Sequence, residues 1–429
     1  MTAFGARGAA LEALCDIRRR GVFAADALNK ACEGLDSRDA SMAWRIVMGV
    51  TQNRVLLDAA IDEKLAGKAE PIVRDILRIG AVQLFYMRVP QSAAVNEAVK
   101  QTKAACPRAA GLVNAVLRAL AAETPDSVIA RMGALDRKKE LELRFSLPEW
   151  YTVALIERLG IDGAFAFAEK TGGVKPVTLI ENALEPPDDA QRSAAGEPHP
   201  LLPDARLYDG AAASAPGFEQ GKWIVADAGA RAAVSALGLL PGQSLWDACS
   251  APGGKALMAA MDMRGKGVVL ATDVAGKKLQ KIRESAARLR IGILDIRLAD
   301  ASSYAPERLF DAVLCDVPCS GLGVIWGKPD IRFKDSAAFG RFPAVQLKIL
   351  ENAAKAVKPG GVLVYSTCTF INAENEGVTS AFLEASPGFR SEGFEVPFSP
   401  GGAPSGEITL WPHIHGTDCF YIHKMRKAL

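Results

Sequence analysis

Apolar and polar residues follow two different rhythms along this chain. Through residues 5–122 the apolar positions recur at helical spacing, in segments such as 9–19, 40–52, 71–87 and 109–120, with polar residues between them. Leu35-Asp-Ser-Arg-Asp39 offers a cap ahead of the helix that holds Trp44, Ile46 and Val47. Residues 123–170 continue in the helical rhythm. Residues 185–221, rich in Pro, Ala, Gly and Asp, show little periodicity, and short strands are expected at 177–180 and 223–225. From about residue 243 the rhythm changes. Apolar runs at 244–248, 267–272, 293–298, 311–316 and 361–366 predict strands, and helices fit between them, notably at 275–289 and 342–357. Val357-Lys-Pro-Gly-Gly361 reads as a helix stop followed by a strand. Strands separated by helices imply a mostly parallel, doubly wound sheet that binds its ligand at the strand carboxyl ends. The expected organisation is an all-α domain at 1–125, linker helices with a small joining α+β subdomain at 126–225, and an α/β domain at 226–429.

Bulk properties narrow the class. A chain of 429 residues, 49% of them hydrophobic, can bury two or three cores. No apolar run approaches the ~20 residues that span a bilayer, and the N-terminus lacks the pattern of a secretory leader, so a cytoplasmic protein without membrane attachment is expected. Eight cysteines without dense spacing point to reduced thiols. The net charge of +2 is unevenly spread, because residues 1–122 carry 17 Lys/Arg against 12 Asp/Glu. A basic N-terminal third favours an anionic partner.

Asp247-Ala-Cys-Ser-Ala-Pro-Gly-Gly-Lys255 closes the first strand of the α/β region and opens a helix. Paired glycines let the backbone approach a ligand, and a helix N-terminus favours negative groups. A P-loop is excluded by the missing four-residue spacer and the missing Ser/Thr after the lysine. Asp273 is expected to end the second strand, where an acid can hold ribose hydroxyls. Asp300 is expected to end the third, where it could accept from an adenine amine, and Asp316 ends the fourth. A single acid at such a position is often only a turn former. Acids closing three successive strands beside a glycine turn describe a pocket for an adenosine-bearing ligand.

Two cysteines stand in the same region. Cys319 lies in Asp316-Val-Pro-Cys-Ser-Gly-Leu-Gly323 after the fourth strand, and Cys368 lies in Ser366-Thr-Cys-Thr369 after the fifth. One such cysteine would ordinarily be a small buried hydrophobe. Two at adjacent strand ends, flanked by hydroxyls and glycines, point to chemistry. A free thiol is only a few per cent ionised at neutral pH, so the site must lower its pKa or supply a base. Near the C-terminus, His413, His415, Cys419 and His423 offer imidazole and thiol, but their spacing fits no zinc pattern and Gly416-Thr-Asp418 reads as a turn, so packing is expected and no metal.

Together, Cys249-Ser-Ala-Pro-Gly-Gly-Lys255, Asp273, Asp300, Asp316-Val-Pro-Cys-Ser-Gly321, Lys328-Pro-Asp330, Ser366-Thr-Cys-Thr369 and Thr417-Asp-Cys-Phe-Tyr421 resemble the RNA 5-methylcytosine methyltransferases. Arg78-Ile-Gly-Ala-Val-Gln-Leu84, Val95-Asn-Glu-Ala-Val99 and Gly111-Leu-Val-Asn-Ala-Val-Leu-Arg118 resemble the NusB-like RNA-binding domain. The combination is similar to the bacterial small-subunit ribosomal RNA type of that family. The resemblance implies a Rossmann-like methyltransferase domain behind a NusB-like domain, with S-adenosyl-L-methionine as cofactor. It implies RNA as partner, single-stranded or looped at the target, and no obligate protein partner. It assigns Cys368 as nucleophile, Cys319 to product release, Asp316 to the base and Lys255 to electrostatic or proton-transfer help. The cofactor would meet Cys249, Ser250, Ala251, Pro252, Gly253, Gly254, Lys255, Asp273, Asp300 and Asp316. The chain departs from the family at Thr178-Leu-Ile-Glu-Asn182, where arginine is usual at position 180, at Ala226-Asp-Ala-Gly-Ala230, and at Trp326-Gly327, where a basic pair is usual. The alternatives are a transfer RNA substrate, or a non-catalytic RNA-binding assembly factor. A DNA cytosine methyltransferase is disfavoured by the second thiol and the helical RNA-binding likeness.

Overall fold

The computed structural model describes residues 5–65, 67–133 and 136–429. They fall into two compact units, Met1–Gly172 with Lys328–Lys334, and Gly173–Gly327 with Asp335–Leu429. The joining region expected at 126–225 is therefore divided. Its helices up to Gly172 pack with the first unit, whereas its strands and the short helix Asp189–Ala194 belong to the second.

The first unit is helical: α1 Gly5–Arg20, α2 Ala24–Ala31, α3 Ser37–Lys64, α4 Pro71–Tyr86, α5 Gln91–Ala105, α6 Ala110–Leu120, α7 Pro125–Gly133, α8 Arg137–Arg144 and α9 Glu149–Gly172. The cap expected before Trp44 is present, since Asp36 accepts the backbone N–H of Arg38 and Asp39 at 2.9 and 2.8 Å. Helix α4 runs through the middle of the core, with Ile76, Leu77, Ile79, Ala81 and Val82 all buried. It also buries two charges, and they are paired: Arg78 reaches Asp75 at 2.9 Å and Asp58 at 2.8 Å, while Arg18 reaches Asp75 at 2.9 Å. Pairing is what makes buried charge tolerable. Lys328-Pro-Asp330, which falls within the α/β domain expected at 226–429, packs in this helical unit. Asp330 accepts the N–H of Ala24 at the start of α2 at 2.8 Å, and buried Arg332 donates to the Phe145 carbonyl at 2.7 Å.

The second unit begins with a small antiparallel sheet, β1 Val177–Glu181, β2 Glu197–Pro198, β3 Ala205–Tyr208 and β4 Trp223–Val225, in the order β2-β3-β1-β4. Ile180, at the position where the family usually has arginine, is buried in β1 against an apolar cluster. The main sheet contains β5 Ser244–Asp247, β6 Val268–Asp273, β7 Leu294–Leu298, β8 Phe310–Asp316, β9 Val357–Thr367, β10 Phe389–Ser391, β13 Glu407–Leu410 and β14 Phe420–Lys427, while β11 Phe394–Val396 and β12 Ser399–Ala403 form a separate hairpin. Its order is β10-β14-β9-β8-β5-β6-β7, with β13 beside β14. Strands β5 to β9 pair in parallel, and β14 returns antiparallel to β9. Helices α12 Gly254–Asp262, α13 Gly276–Arg288 and α14 Phe342–Ala354 make crossovers, and α11 Ala228–Ala236 and α15 Glu376–Ala385 also cover the sheet; the short α10 Asp189–Ala194 and α16 Pro412–His415 lie outside this plan. From β5 the chain winds outward through β6 and β7, then returns to β8 on the other side. That reversal opens the crevice in which doubly wound sheets bind ligands.

Two expectations shift. Helix α14 stops at Ala354, and the anticipated stop sequence instead starts β9. Pro359 and Gly360 sit where the β8–β9 register shifts, a place where the missing N–H of proline costs no ladder bond. Asp300 lies two residues past the end of β7, because that strand ends at Leu298.

Candidate active site

The turn after β5 is tied to its neighbour strand by backbone groups. Ser250 N–H donates to the Thr272 carbonyl at 2.8 Å, Ala251 N–H to Asp273 at 3.0 Å, and Gly253 N–H to the Ser250 carbonyl at 2.7 Å. Gly253 has φ of +106°, and a Cβ there would lie 2.8 Å from Ile282 of α13. Only glycine fits both demands. The second oxygen of Asp273 accepts the N–H of Ala275 at 2.8 Å, so this acid anchors the turn while each oxygen keeps a lone pair for a ligand hydroxyl. Asp300 accepts Ser302 N–H at 2.9 Å, which holds its carboxyl below the usual range, and its loop meets β6 where Ala299 N–H donates to the Asp273 carbonyl at 3.1 Å.

Unsatisfied groups surround this turn. Both carboxylate oxygens of Asp247 and the Ser250 hydroxyl are buried without a partner of hydrogen-bond geometry. Burial, with help from the charge of Asp316, pushes the Asp247 carboxyl up to about 7. Val274 and Leu298 are 68% and 67% exposed at the ends of β6 and β7, and Leu298 is paired with Asp273 in the ladder. Two large apolar side chains exposed at adjacent strand ends, with Leu298 paired to Asp273, suit the flat apolar face of a ligand. The sequence pattern had not singled out these two residues or the carboxyl of Asp247. Cys249 is held as a neutral thiol, its pKa raised by burial.

The chemistry-bearing side chains converge at the ends of β8 and β9. Lys255, one residue into α12, reaches Asp316 at 2.7 Å, and Ser366 Oγ donates to the other Asp316 oxygen at 2.8 Å. Burial lowers the Lys255 pKa, but the adjacent carboxylate overrides it and the net shift is upward. The same ammonium stands 4.9 Å from the ring centroid of Phe420. Cys319 lies three residues beyond β8 and Cys368 directly after β9, and their Sγ atoms are 3.4 Å apart. The hydrogen bond from Cys319 lowers the Cys368 pKa, and Lys255 lowers it further. The same shared proton, together with burial, raises that of Cys319.

The two loops are stitched to one another. Gly323 N–H donates to the Cys368 carbonyl at 2.9 Å, Cys419 N–H donates to the Gly323 carbonyl at 3.1 Å, and Ser320 Oγ donates to Thr369 Oγ1 at 2.8 Å. A Cβ on Gly323 would stand 2.5 Å from the Cys419 carbonyl and 2.9 Å from that of Cys368. Both obstacles are backbone, so neither can rotate away. Gly323→Ala is expected to cost about 1–3 kcal/mol and to move the two thiols apart. A thermal melt of the variant that coincides with the parent would contradict this.

Nearby, Lys175 bridges Asp227 at 2.7 Å and Asp418 at 2.6 Å, joining the segment before β1, the N-cap of α11 and the entry to β14. Asp227 belongs to the departing Ala226–Ala230 segment. Trp326 Nε1 donates to the Gly173 carbonyl at 3.0 Å. Among the C-terminal histidines, His415 accepts the N–H of Trp411 at 2.9 Å and His423 bonds Ser391 at 2.8 Å, so both imidazoles have structural partners. Gly416, with φ of +68°, turns the chain between His415 and β14.

Residues 234–426 match the family described as 16S rRNA methyltransferase RsmB/F, and residues 5–122 match the NusB family. A probable ribosomal RNA small subunit methyltransferase B of Synechocystis sp. is 33% identical, with 99% of each chain covered. Its counterpart of the same name in Bacillus subtilis is 32% identical, with 98% of each chain covered. The crystal structure of PH0851 is similar in fold, with a TM-score of 0.79 at 23% identity over 98% of both chains. A methyltransferase homologue protein from Pyrococcus horikoshii gives a TM-score of 0.58 at 25% identity, over 68% of this chain and 99% of that one. With relatives above 30% identity along nearly its whole length, a paired-thiol site on a doubly wound sheet and a NusB-family helical region, the chain belongs to the RsmB/F family of 16S rRNA methyltransferases.

Proposed function

We propose that this chain methylates carbon 5 of a cytosine in small-subunit ribosomal RNA, using S-adenosyl-L-methionine and a covalent adduct to Cys368. The observation that carries the reading is the pair of thiols 3.4 Å apart beside the Lys255–Asp316 ion pair. The residues of the β5–β7 crevice suit the cofactor: Asp273 can take ribose hydroxyls, Asp300 the adenine amine, Val274 and Leu298 a flat apolar ring. The buried Asp247 carboxylate, with Ser250 beside it, suits an ammonium group. When bound, the cofactor supplies an electrophilic methyl group.

Carbon 5 of cytosine is a weak nucleophile. Addition of the Cys368 thiolate at carbon 6 makes the ring enamine-like and divides one hard step into two easier ones. Asp316 orients the base through its N3 edge and exocyclic amine, and Lys255, paired with Asp316, sets an ammonium beside it for the charge that develops. Once carbon 5 is methylated, a base takes its proton, the C–H electron pair restores the carbon 5–carbon 6 double bond and Cys368 leaves as thiolate, with Cys319 assigned to assist this elimination. The target base must leave its stack, which favours a single-stranded or looped site. The basic helical unit contributes phosphate contacts whose affinity falls with salt. Among the described residues no helix is long and apolar enough to cross a membrane. An enzyme of ribosomal RNA would work in the cytoplasm.

The test is transfer of tritiated methyl from S-adenosyl-L-methionine to deproteinised small-subunit RNA, with bisulfite sequencing of a knockout to locate the cytosine. Label appearing on transfer RNA alone would overturn the substrate. No label on any RNA, with RNA binding intact, would favour an assembly factor instead.

A further inference from the structure

One buried acid is used by nothing described so far. Glu374, in the 3-10 turn Asn372–Glu374 that follows β9, is 1% exposed. Its Oε2 accepts the backbone N–H of Ser320 at 2.9 Å and Gln346 Nε2–H at 3.0 Å, while its Oε1 is buried with no hydrogen-bond partner. Gln346 of α14 also donates to the Pro318 carbonyl at 3.0 Å. The carboxylate therefore grips the loop on both sides of Cys319, at Pro318 through Gln346 and at Ser320 directly. Its own backbone carbonyl is pinned by Tyr365 OH at 2.6 Å.

We propose that Glu374 is a positioning residue for the thiol pair: it fixes the Pro318–Ser320 loop so that Cys319 Sγ meets Cys368 Sγ, and its charge keeps their shared proton on Cys319. The proposal rests on the reading of Cys368 as the nucleophile and adds the device that selects it. Two thiols 3.4 Å apart cannot both ionise readily, so the surrounding charges decide which one does. Cys368 accepts the hydrogen bond of Cys319, which lowers its pKa most, and Lys255 partly offsets the upward push of burial, Asp316 and Asp418. Cys319 faces Cys368, Glu374 and the neutral phenol of Tyr365, and the Glu374 carboxylate pushes its pKa up. A nucleophile chosen in this way needs no separate general base, because its proton is already held by its neighbour.

The test uses the full-length protein without RNA or cofactor, with iodoacetamide as probe and peptide mass spectrometry to partition label between Cys319 and Cys368 from pH 6 to 9. In the parent, Cys368 should label at least about tenfold faster, the factor that one pKa unit gives below both midpoints. In Glu374→Gln, Cys319 labelling should rise about tenfold and its pH profile should move to lower pH. Glu374→Asp keeps the charge and should restore most of the bias toward Cys368. Equal labelling of both thiols in the parent overturns the proposal even if Glu374→Gln fails to fold. So does a Glu374→Gln protein with parental partition, or Gln and Asp variants that shift it equally. Loss of methyl transfer in Cys319→Ala without adduct would strike the nucleophile assignment instead, and leaves the labelling ratio as a separate result.

Discussion

Cys368→Ala is expected to abolish methyl transfer and every covalent protein–RNA adduct, while Cys319→Ala should accumulate an adduct that survives denaturant when cofactor is supplied. The two side chains are 49 positions apart in sequence yet 3.4 Å apart in space, and both are cysteine, so similar substitutions isolate their roles. The asymmetry comes from the surroundings. The hydrogen bond from Cys319, with a smaller contribution from Lys255, lowers the pKa of Cys368, and the same bond, together with burial, raises that of Cys319. Removing the group that forms the bond removes the pathway. Removing the group that helps break it stops the reaction after the bond has formed. Denaturing gel electrophoresis with labelled RNA reads both outcomes at once. An adduct that persists in Cys368→Ala and disappears in Cys319→Ala would reverse the assignment.

The second large effect is expected at the ion pair. Asp316→Ala should lower the rate of methyl transfer by on the order of 10²–10³-fold, the usual consequence of deleting one preorganised electrostatic group. Two losses combine: the base loses the carboxylate that orients it, and Lys255 is left buried without its counter-ion. With Asp316 gone, burial is no longer overridden and the Lys255 pKa should fall. Lys255→Met makes the complementary prediction. Without the ammonium, the Cys368 thiol should need higher pH to ionise, so the ascending, acid-side limb of the pH–rate profile moves to higher pH. Single-turnover transfer across pH 6–9 would detect this. A Lys255→Met profile that overlays the parent would remove the lysine from any electrostatic role in the thiol's ionisation.

Much of this site can be read in the sequence because its parts are local. The glycine turn Asp247–Lys255 is one strand end and one helix start, and Asp273 and Asp316 close apolar runs that only a buried strand explains. Those features depend on neighbours a few positions away. Glu374, by contrast, reads in sequence as one acid among several in Asn372-Ala-Glu-Asn-Glu376, and its burial follows from α14 and the β8 loop closing over it. The contacts of Ser366 and Phe420 with the Lys255–Asp316 pair, and the Lys175–Asp227–Asp418 bridge, are hidden for the same reason, although several of these residues stand in motifs the sequence displays. Lys328-Pro-Asp330 lies within the α/β stretch in sequence yet packs with the helical unit, which only the fold reveals.

By itself, then, the sequence determined the alternation of strands and helices, the helical N-terminal region and the residues that could do chemistry, because periodic burial is encoded within each segment. Only the tertiary structure decided how those residues differ from one another. Two cysteines with similar local contexts become distinct when Lys255 is set near one and Glu374 beside the other. That difference is electrostatic, and it depends on distances between segments that only the folded sheet brings together.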